Sequence, residues 1–249
     1  SVGERKMNSF KAHEQGLTQI KREDGSEVPA YTSPAIPGGA GIVVIQEWWG
    51  VNDQVKTTAG DIAIACNARV AVPDLYRGKI AYEAAEANHI MSGLDWPGAI
   101  QDVKACAQWL KANGCSKVTV AGFCMGGALA LGSGVLVEEV DACIAFYGWN
   151  KGLADVSTMK KPTQCHFGDR DDHKGFSDTE TANALEGELK KSGCPVEFYR
   201  YPTQGHGFMN STAWGKEMQK KLGRPDVEEK EIESAMARVK AFVAKHGKA

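Results

Sequence analysis

The stretch KVTVAGFCMGGALA, residues 117–130, has the pattern of a buried strand, a tight glycine-rich turn and a helix. Cys124 occupies the turn, two positions from Gly122 and Gly126. G-x-C-x-G between a strand and a helix is a nucleophile elbow with cysteine in place of serine, and its strained turn requires residues without a Cβ at both glycine positions. The helix N-terminus favours a thiolate, and the amide of Met125 would face the oxyanion that forms during acyl transfer. The turn therefore predicts that Cys124 is a nucleophile.

The glycines of this turn do not match the common nucleotide-binding motifs. GFCMGGAL (122–129) has no lysine after its last glycine, so it is not a phosphate-binding P-loop. Its spacing also differs from G-x-G-x-x-G, and GGAG (38–41) precedes a strand instead of following one. Dinucleotide binding is therefore not expected, and neither is another organic cofactor or a metal.

Strands and helices alternate along the chain on both sides of the elbow. Strands are predicted at 28–34, 41–47, 69–74, 117–122, 141–148, 161–168 and 195–202, and helices at 53–67, 81–91, 97–114, 125–136, 177–193, 228–247 and, on the surface, 211–220. Such alternation produces a mostly parallel sheet with helices on both faces. We predict a single α/β domain over residues 28–249, preceded by an N-terminal extension over residues 1–27. The connection between the strands 141–148 and 161–168 is too short for a large lid domain.

The composition excludes several classes of protein. A net charge of −2 and a pI near 6.3 give no basic excess for nucleic-acid binding, and no apolar run approaches the roughly 18 residues of a membrane span. The seven cysteines form no CxxC pair, so a zinc ribbon or a thioredoxin-like site is not indicated. Unpaired cysteines are typical of a reducing compartment. We therefore predict a cytoplasmic protein, with an organelle entered by a transit peptide since removed as the alternative. We expect a monomer, with a homodimer as the other possibility, and no nucleic-acid or membrane partner.

An acid and a histidine follow later strands of the predicted sheet. The carboxyl ends of parallel strands are where sites of this architecture lie. His206 comes after the last strand, and the glycines on either side would let it face the sulfur as a base. Asp169, Asp171 and Asp172 follow the strand before it. The G-x-x-D spacing favours Asp171 as the acid that orients the imidazole. The other two remain alternatives for this role, or belong to an acidic solvated loop.

A carboxylate and two tryptophans follow the strand at 41–47. Glu47 ends this buried strand, where an unpaired carboxylate is costly. It is either part of the site or the partner of a nearby arginine or lysine. Trp48 and Trp49 would shape an apolar pocket at the mouth of the site, or one of the two rings lies buried under a loop.

These motifs together resemble one enzyme family. The segments QEWWGVN (46–52), PDLYRG (73–78), GFCMGGALAL (122–131), GDRDD (168–172) and GHGF (205–208) follow the order and spacing of the dienelactone hydrolases (carboxymethylenebutenolidases). The resemblance runs from about residue 28 to residue 245 and implies an α/β-hydrolase fold without a large lid domain. It also implies a Cys124–His206–Asp171 triad that hydrolyses a small lactone or ester through an acyl-thioester, with no cofactor.

The resemblance assigns roles to further residues. Glu47 would contact the resting thiol and help to generate the thiolate, and the amide of Trp48 would be the second oxyanion donor beside that of Met125. The expected substrate-binding residues are Arg77, Trp49, Tyr76 and Phe123. Family members that act on dienelactones hold the substrate carboxylate with two arginines. Arg77 is shifted by one position from the first, and Asn210 stands where the second is expected, so the resemblance leaves the substrate open.

Two other kinds of function stay open at this point. The chain could be a thioesterase, or another cysteine-dependent acyl-transfer enzyme such as a peptidase or transferase on the same fold. It could also be a non-catalytic small-molecule receptor or redox sensor in which Cys124 is oxidised. A cysteine, an acid and a histidine at three strand ends favour catalysis, because a binding protein does not need all three. The fold alone would not decide between these functions.

Overall fold

Eight strands form the central sheet of the computed structural model, which describes residues 15–34 and 39–248. They are β1 (Gln15–Lys21), β2 (Glu27–Thr32), β3 (Ala40–Ile45), β4 (Ala68–Pro73), β5 (Val118–Phe123), β6 (Ala142–Phe146), β7 (Thr163–Gly168) and β8 (Val196–Tyr201). Their order across the sheet is β1-β2-β4-β3-β5-β6-β7-β8. β2 is antiparallel to both β1 and β4, and every later pair is parallel. The prediction of a mostly parallel sheet is confirmed.

Seven α-helices lie between these strands over the described part of the chain. They are α1 (Asp53–Cys66), α2 (Ala84–Ser92), α3 (Trp96–Ala112), α4 (Met125–Leu136), α5 (Thr179–Ser192), α6 (Ala213–Lys221) and α7 (Glu229–His246). α1 packs against α7 and α3 packs against α4, which gives a helical layer on each face of the sheet. In the described ranges, every helix is too short or too polar to traverse a lipid bilayer.

The central position of three strands in the sheet is explained by their largely apolar composition. β3, β4 and β5 are buried at every residue, as expected for parallel strands that are covered on both faces. The short apolar runs that predicted these strands therefore form the centre of the core. β8 lies at the edge of the sheet and is only half-buried over most of its length.

The N-terminal strand β1 lies within the segment that we set apart as an extension, residues 1–27. It pairs with β2, and Ile20 is buried in the core. The sequence predicted no strand here because the segment is polar and shows no clear periodicity of apolar residues. Residues 1–14 lie outside the described part, and the domain boundary at residue 28 stays a prediction.

The register of the parallel strands brings their carboxyl ends to one edge of the sheet. Ile45 of β3 pairs with Gly122 of β5, and Gly168 of β7 pairs with Tyr201 of β8. The residues that follow these strands therefore meet above the same edge. The connection between β6 and β7, residues 147–162, contains a 3-10 turn at Val156–Thr158 and no lid domain.

Candidate active site

The elbow after β5 holds Cys124 in a backbone conformation that few residues other than glycine adopt. Its φ and ψ are 55° and −117°, and its amide donates to the carbonyl oxygen of Phe146 at 3.0 Å. A Cβ on Gly122 would overlap the carbonyl oxygen of Gly126, and one on Gly126 would lie 2.6 Å from that of Gln46. Both glycines are therefore required by the close approach of neighbouring main chain.

The thiol of Cys124 is held in its neutral form. Burial and the negative charge of Glu47 raise its pKa well above the ordinary value. The guanidinium of Arg224 and the amide of Met125, which donates to the sulfur, act in the opposite direction but do not outweigh burial. The helix N-terminus favours a thiolate, but burial and Glu47 outweigh it, and the raised pKa fits the resting thiol that was expected beside Glu47.

A histidine–carboxylate pair lies beside the elbow. His206 Nδ1 is 2.8 Å from an oxygen of Asp171 and 3.0 Å from the hydroxyl of Ser177, and all three residues are buried. The two loops that carry the pair are joined by main chain, because the amide of Arg170 donates to the carbonyl of Gln204 at 2.9 Å. Because Asp171 follows β7 and His206 follows β8, the pairing of these two strands also fixes the position of the acid relative to the base.

Burial and hydrogen bonding act against each other in this pair. Burial would raise the pKa of Asp171, but the contacts with His173 and His206 outweigh it and hold that pKa well below its usual range. Burial lowers the pKa of His206 to about 4, although Asp171 acts in the opposite direction. The imidazole is therefore neutral at physiological pH. With Nδ1–H directed to Asp171, Nε2 is left with a lone pair and can accept a proton.

The three acids after β7 have different surroundings. Asp171 contacts the imidazole of His206. Asp169 forms an ion pair with Arg200, and the side chain of Asp172 is 91% exposed. These surroundings favour Asp171 as the acid of the pair.

Glu47 is held by neutral donors. Tyr147 donates its hydroxyl at 2.8 Å, and the Asn210 amide lies 3.0 and 3.1 Å from the two carboxylate oxygens. The alternative of a hydrogen-bonded arginine or lysine partner is therefore not what the structure shows. Burial raises the pKa of Glu47 despite these hydrogen bonds. Tyr147 has a φ of 38°, a second unusual backbone conformation at this site.

Cys124 and His206 line the same cavity, whose volume is about 570 Å³. Much of its wall is apolar, with two cationic side chains. The wall residues are Trp48, Asn88, Met91, Trp96, Cys124, Trp149, Asn150, Lys151, Gly152, His173, Gly175, Phe176, His206 and Arg224. A cavity of this size and lining can accommodate a small apolar or aromatic molecule.

The four predicted substrate-binding residues lie elsewhere. Arg77 forms two hydrogen bonds with the carboxylate of Asp102, at 2.8 and 2.9 Å. Trp49 and Phe123 line a smaller cavity of about 20 Å³ next to Glu47. Tyr76 is buried under the elbow, where its hydroxyl lies 3.3 Å from the sulfur of Met125. Trp48, expected to supply an oxyanion amide, does line the main cavity.

Several residues of the site were not identified from the sequence, among them Tyr147, His173 and Arg224. Tyr147 directly follows β6, so the rule of inspecting strand ends could have identified it. His173 lies two residues after Asp171, and its position there could also have drawn attention. Arg224 comes from the irregular segment after α6 and reaches the wall only through tertiary folding.

Within residues 15–34 and 39–248, the ligand atoms of Asp171, His173 and His206 also lie close enough together to hold a metal ion, all within 4.8 Å of one another. The donor set fits an ion poorly. The Nδ1 atom of His206 is already hydrogen-bonded to Asp171, and the guanidinium of Arg224 lies 3.3 Å from His173 and would repel a cation. These contacts fit a hydrogen-bonded group better than a metal centre.

The chain is similar to known proteins over most of its length. The model of the dienelactone hydrolase family matches residues 29–247. The chain is 28% identical to Protein usf of Aquifex pyrophilus, covering 76% of this chain and 84% of that protein. It is 25% identical to carboxymethylenebutenolidase 1 of Cupriavidus pinatubonensis, covering 78% and 86%. Among solved structures, a dienelactone hydrolase-like promiscuous phosphotriesterase from metagenomic libraries superimposes with a TM-score of 0.75 at 20% identity, covering 93% and 99%.

Proposed function

Because the chain belongs to the dienelactone hydrolase family, whose members are ester and lactone hydrolases, we propose that it hydrolyses lactones or esters through Cys124, His206 and Asp171. The observation that carries this proposal is the shared cavity. The sulfur and the base line one wall, and the buried acid lies 2.8 Å behind the base. This is the order of nucleophile, base and orienting acid that acyl transfer needs.

In the proposed cycle, the sulfur attacks the carbonyl carbon as its proton passes to Nε2 of His206. The amides of Met125 and Trp48 stabilise the oxyanion of the tetrahedral intermediate. The intermediate collapses to an acyl-thioester, and the imidazolium returns its proton to the leaving alkoxide. Water then attacks the thioester while His206 takes one of its protons, and the acid product and the thiol are released.

Glu47 has a role before the attack. Its charge helps to keep the thiol protonated at rest, and it is held in place by Tyr147 and Asn210. We assign to it the resting contact with the thiol, which is given up as substrate arrives and the thiolate forms. With a serine in place of Cys124 there would be no thiol for this carboxylate to contact and no thiolate for it to help generate.

The cations of the cavity bear on the substrate class. Arg77 is paired with Asp102, and Asn210 holds Glu47, so neither position offers a cation to a substrate. Arg224 and Lys151 do lie on the wall, and Arg224 is hydrogen-bonded to Gln219 and His173, neither of which is a carboxylate. We therefore propose an ester or lactone that carries a carboxylate, which would lie against Arg224.

The alternatives differ in what they require of the sulfur. A redox sensor needs a cysteine with a low pKa that solvent can reach, whereas Cys124 is 8% exposed and has a raised pKa. The site thus argues against redox sensing. A thioesterase would use the same residues, and only the preferred leaving group would distinguish it.

Hydrolysis of p-nitrophenyl acetate and of dienelactone by the wild type, Cys124→Ala and Cys124→Ser tests the proposal. We expect Cys124→Ala to lose about 10³-fold or more of kcat/KM, and Cys124→Ser to be much slower than the wild type. Cys194→Ala, which removes a half-buried cysteine outside the site, should keep wild-type activity. Equal activity of Cys124→Ala and the wild type, or no turnover of either substrate, would contradict the assignment. A matched thioester substrate that is strongly preferred would favour the thioesterase.

A further inference from the structure

A second histidine lies directly on the base. The ring of His173 stacks on that of His206 with the centroids 4.2 Å apart and the planes 25° from parallel. The side chain of His173 is 40% exposed on the cavity wall, whereas that of His206 is 3% exposed. His173 therefore covers one face of the catalytic ring and limits the planes that this ring can adopt.

His173 also shares the carboxylate of Asp171 with the base. One oxygen of Asp171 lies 2.8 Å from His206 Nδ1, and the other accepts the backbone amide of His173 at 3.0 Å. The Nδ1 atom of His173 lies 3.3 Å from that second oxygen and 3.5 Å from Asp172, in contacts that are electrostatic and not aligned hydrogen bonds. The carboxylate is thus held between two imidazoles.

A guanidinium determines which nitrogen of His173 carries the proton. Arg224 Nη2 lies 3.3 Å from His173 Nε2. A guanidinium only donates hydrogen bonds, so Nε2 must accept and is unprotonated. With Nε2 as the acceptor, the N–H of the ring is that of Nδ1, which faces Asp171. The tautomer of His173 follows from its neighbour on the cavity wall.

We propose that His173 is a positioning residue for the base: stacked on His206 and kept by Arg224 as the Nδ1–H tautomer, it orients the imidazole and the Asp171 carboxylate for proton transfer. The proposal rests on the proposed triad. The main chain supports this placement, because the amides of Phe176, Ser177 and Asp178 all donate to the carbonyl oxygen of His173.

The pH dependence of kcat/KM can distinguish a positioning role from a structural one, because a ring that only fills space would not change it. The titratable and charged groups that face His173 are Asp171, Asp172, His206 and Arg224. His173 contributes to lowering the pKa of His206, and Asp171 raises it. Without His173, Asp171 interacts more fully with His206, so the acid limb of the kcat/KM profile should move to higher pH.

The test compares the pH profile of kcat/KM for the wild type, His173→Phe, His173→Gln and His89→Phe. Phenylalanine keeps the stacked ring but lacks both nitrogens, and His89 is exposed on α2, which makes it the control. We expect His173→Phe and His173→Gln to lose about tenfold in kcat with KM within about twofold, and the acid limb to move to higher pH. A loss of kcat with an unmoved limb, or a wild-type profile, would overturn the proposal.

A measurement on the wild-type protein makes the test independent of folding of the variants. The ¹⁵N chemical shifts of the imidazoles report which nitrogen carries the proton. We expect the Nδ1–H tautomer for His173, and a Nε2–H tautomer would overturn the proposal. An active Cys124→Ala variant would contradict the triad itself. An inactive Cys124→Ala variant together with an unaltered His173→Phe profile would sink only the positioning role.

Discussion

At the scale of single residues, the resting state of Cys124 is decided by its surroundings. Burial and Glu47 keep the sulfur protonated, while Met125 and Arg224 favour the charged form. A thiol is a weak nucleophile compared with its thiolate. In the mechanism that we propose, the thiolate is therefore produced as the substrate enters, and the rate depends on the placement of His206 and Glu47.

The choice among the three acids leads to the first prediction at this scale. We expect Asp171→Asn to lower kcat by about 10²- to 10⁴-fold, because the imidazole loses the carboxylate that orients it. Asp172→Asn should stay within about twofold of the wild type, since its side chain is 91% exposed. Steady-state kinetics on one ester measures both. The reverse order of effects would move the acid by one position.

The two arginines provide a second prediction. Arg224→Met should raise KM for an ester that carries a carboxylate by about tenfold, and leave KM for its neutral analogue within about twofold, because a charged hydrogen bond is lost only with the first. Arg77→Met should leave both KM values unchanged. It should instead lower the free energy of unfolding by about 1–3 kcal/mol, since buried Asp102 loses a bidentate partner. An effect of Arg77→Met on KM for the anionic ester would contradict this assignment.

Arg224 differs from the residues that the sequence identified in its distance from the strands. Cys124, Asp171 and His206 follow strands closely, so the sheet alone determines where they meet. Arg224 follows a surface helix that packs through Trp214 on Trp49. Its place on the cavity wall depends on this tertiary contact, which leaves no periodic signal in the sequence.

At the scale of elements, the elbow joins β5 to α4 through glycines packed against main chain. A Cβ on Gly122 would overlap the carbonyl oxygen of Gly126, whereas one on Gly187 of α5 would meet nothing within 4 Å. We expect Gly122→Ala to unfold the site or destabilise the protein by several kcal/mol. Gly187→Ala should stabilise it by about 0.5–1 kcal/mol, because alanine is the better helix former. Urea unfolding measures both, and a stable Gly122→Ala variant would contradict the packing described.

Most elements could be predicted, and the exceptions have physical causes. The buried strands β3 to β6 are mostly apolar runs, a pattern that depends on no partner. Strand β7 is buried as well, although it contains the polar residues Thr163, Gln164 and His166. Helix α2 begins at Ala84 and not at residue 81. The amide of Ala81 donates instead to the carbonyl oxygen of Trp49, so residues 81–83 form a connection that precedes the helix. The helix predicted at 211–220 as a surface element is α6, and it buries Met218 in a small apolar cluster with Trp49, Ala81 and Ala87.

At the scale of the whole molecule, two buried neutral histidines tie stability to pH. Burial lowers the pKa of His206 to about 4 and that of His166 well below its ordinary value. In the unfolded chain both titrate near pH 6.5, so the unfolded state binds more protons as the pH falls. Their contribution to stability is therefore complete above about pH 6.5 and is lost as the pH falls toward 4.

Urea unfolding at several pH values checks this prediction. We expect the free energy of unfolding to fall by on the order of 2 kcal/mol for His206 alone between pH 7.5 and pH 5. His206→Asn should reduce the dependence, and His89→Asn, at an exposed position, should leave it unchanged. A stability that is flat over this range would contradict a neutral His206.

The position of Cys124 is determined by main-chain atoms. A carbonyl oxygen of β6 accepts a hydrogen bond from its amide, and the glycines two positions before and after it lie close to main-chain carbonyl oxygens. Backbone atoms do not depend on which side chain occupies the turn. The backbone that positions residue 124 is thus independent of the side chain that residue 124 carries. One codon can exchange the reacting atom without rebuilding the turn, while the groups that tune it, such as Glu47, must change separately. In evolution or in protein design, a new reaction at this position would therefore require changes in the neighbouring side chains, while the fold and the turn are kept.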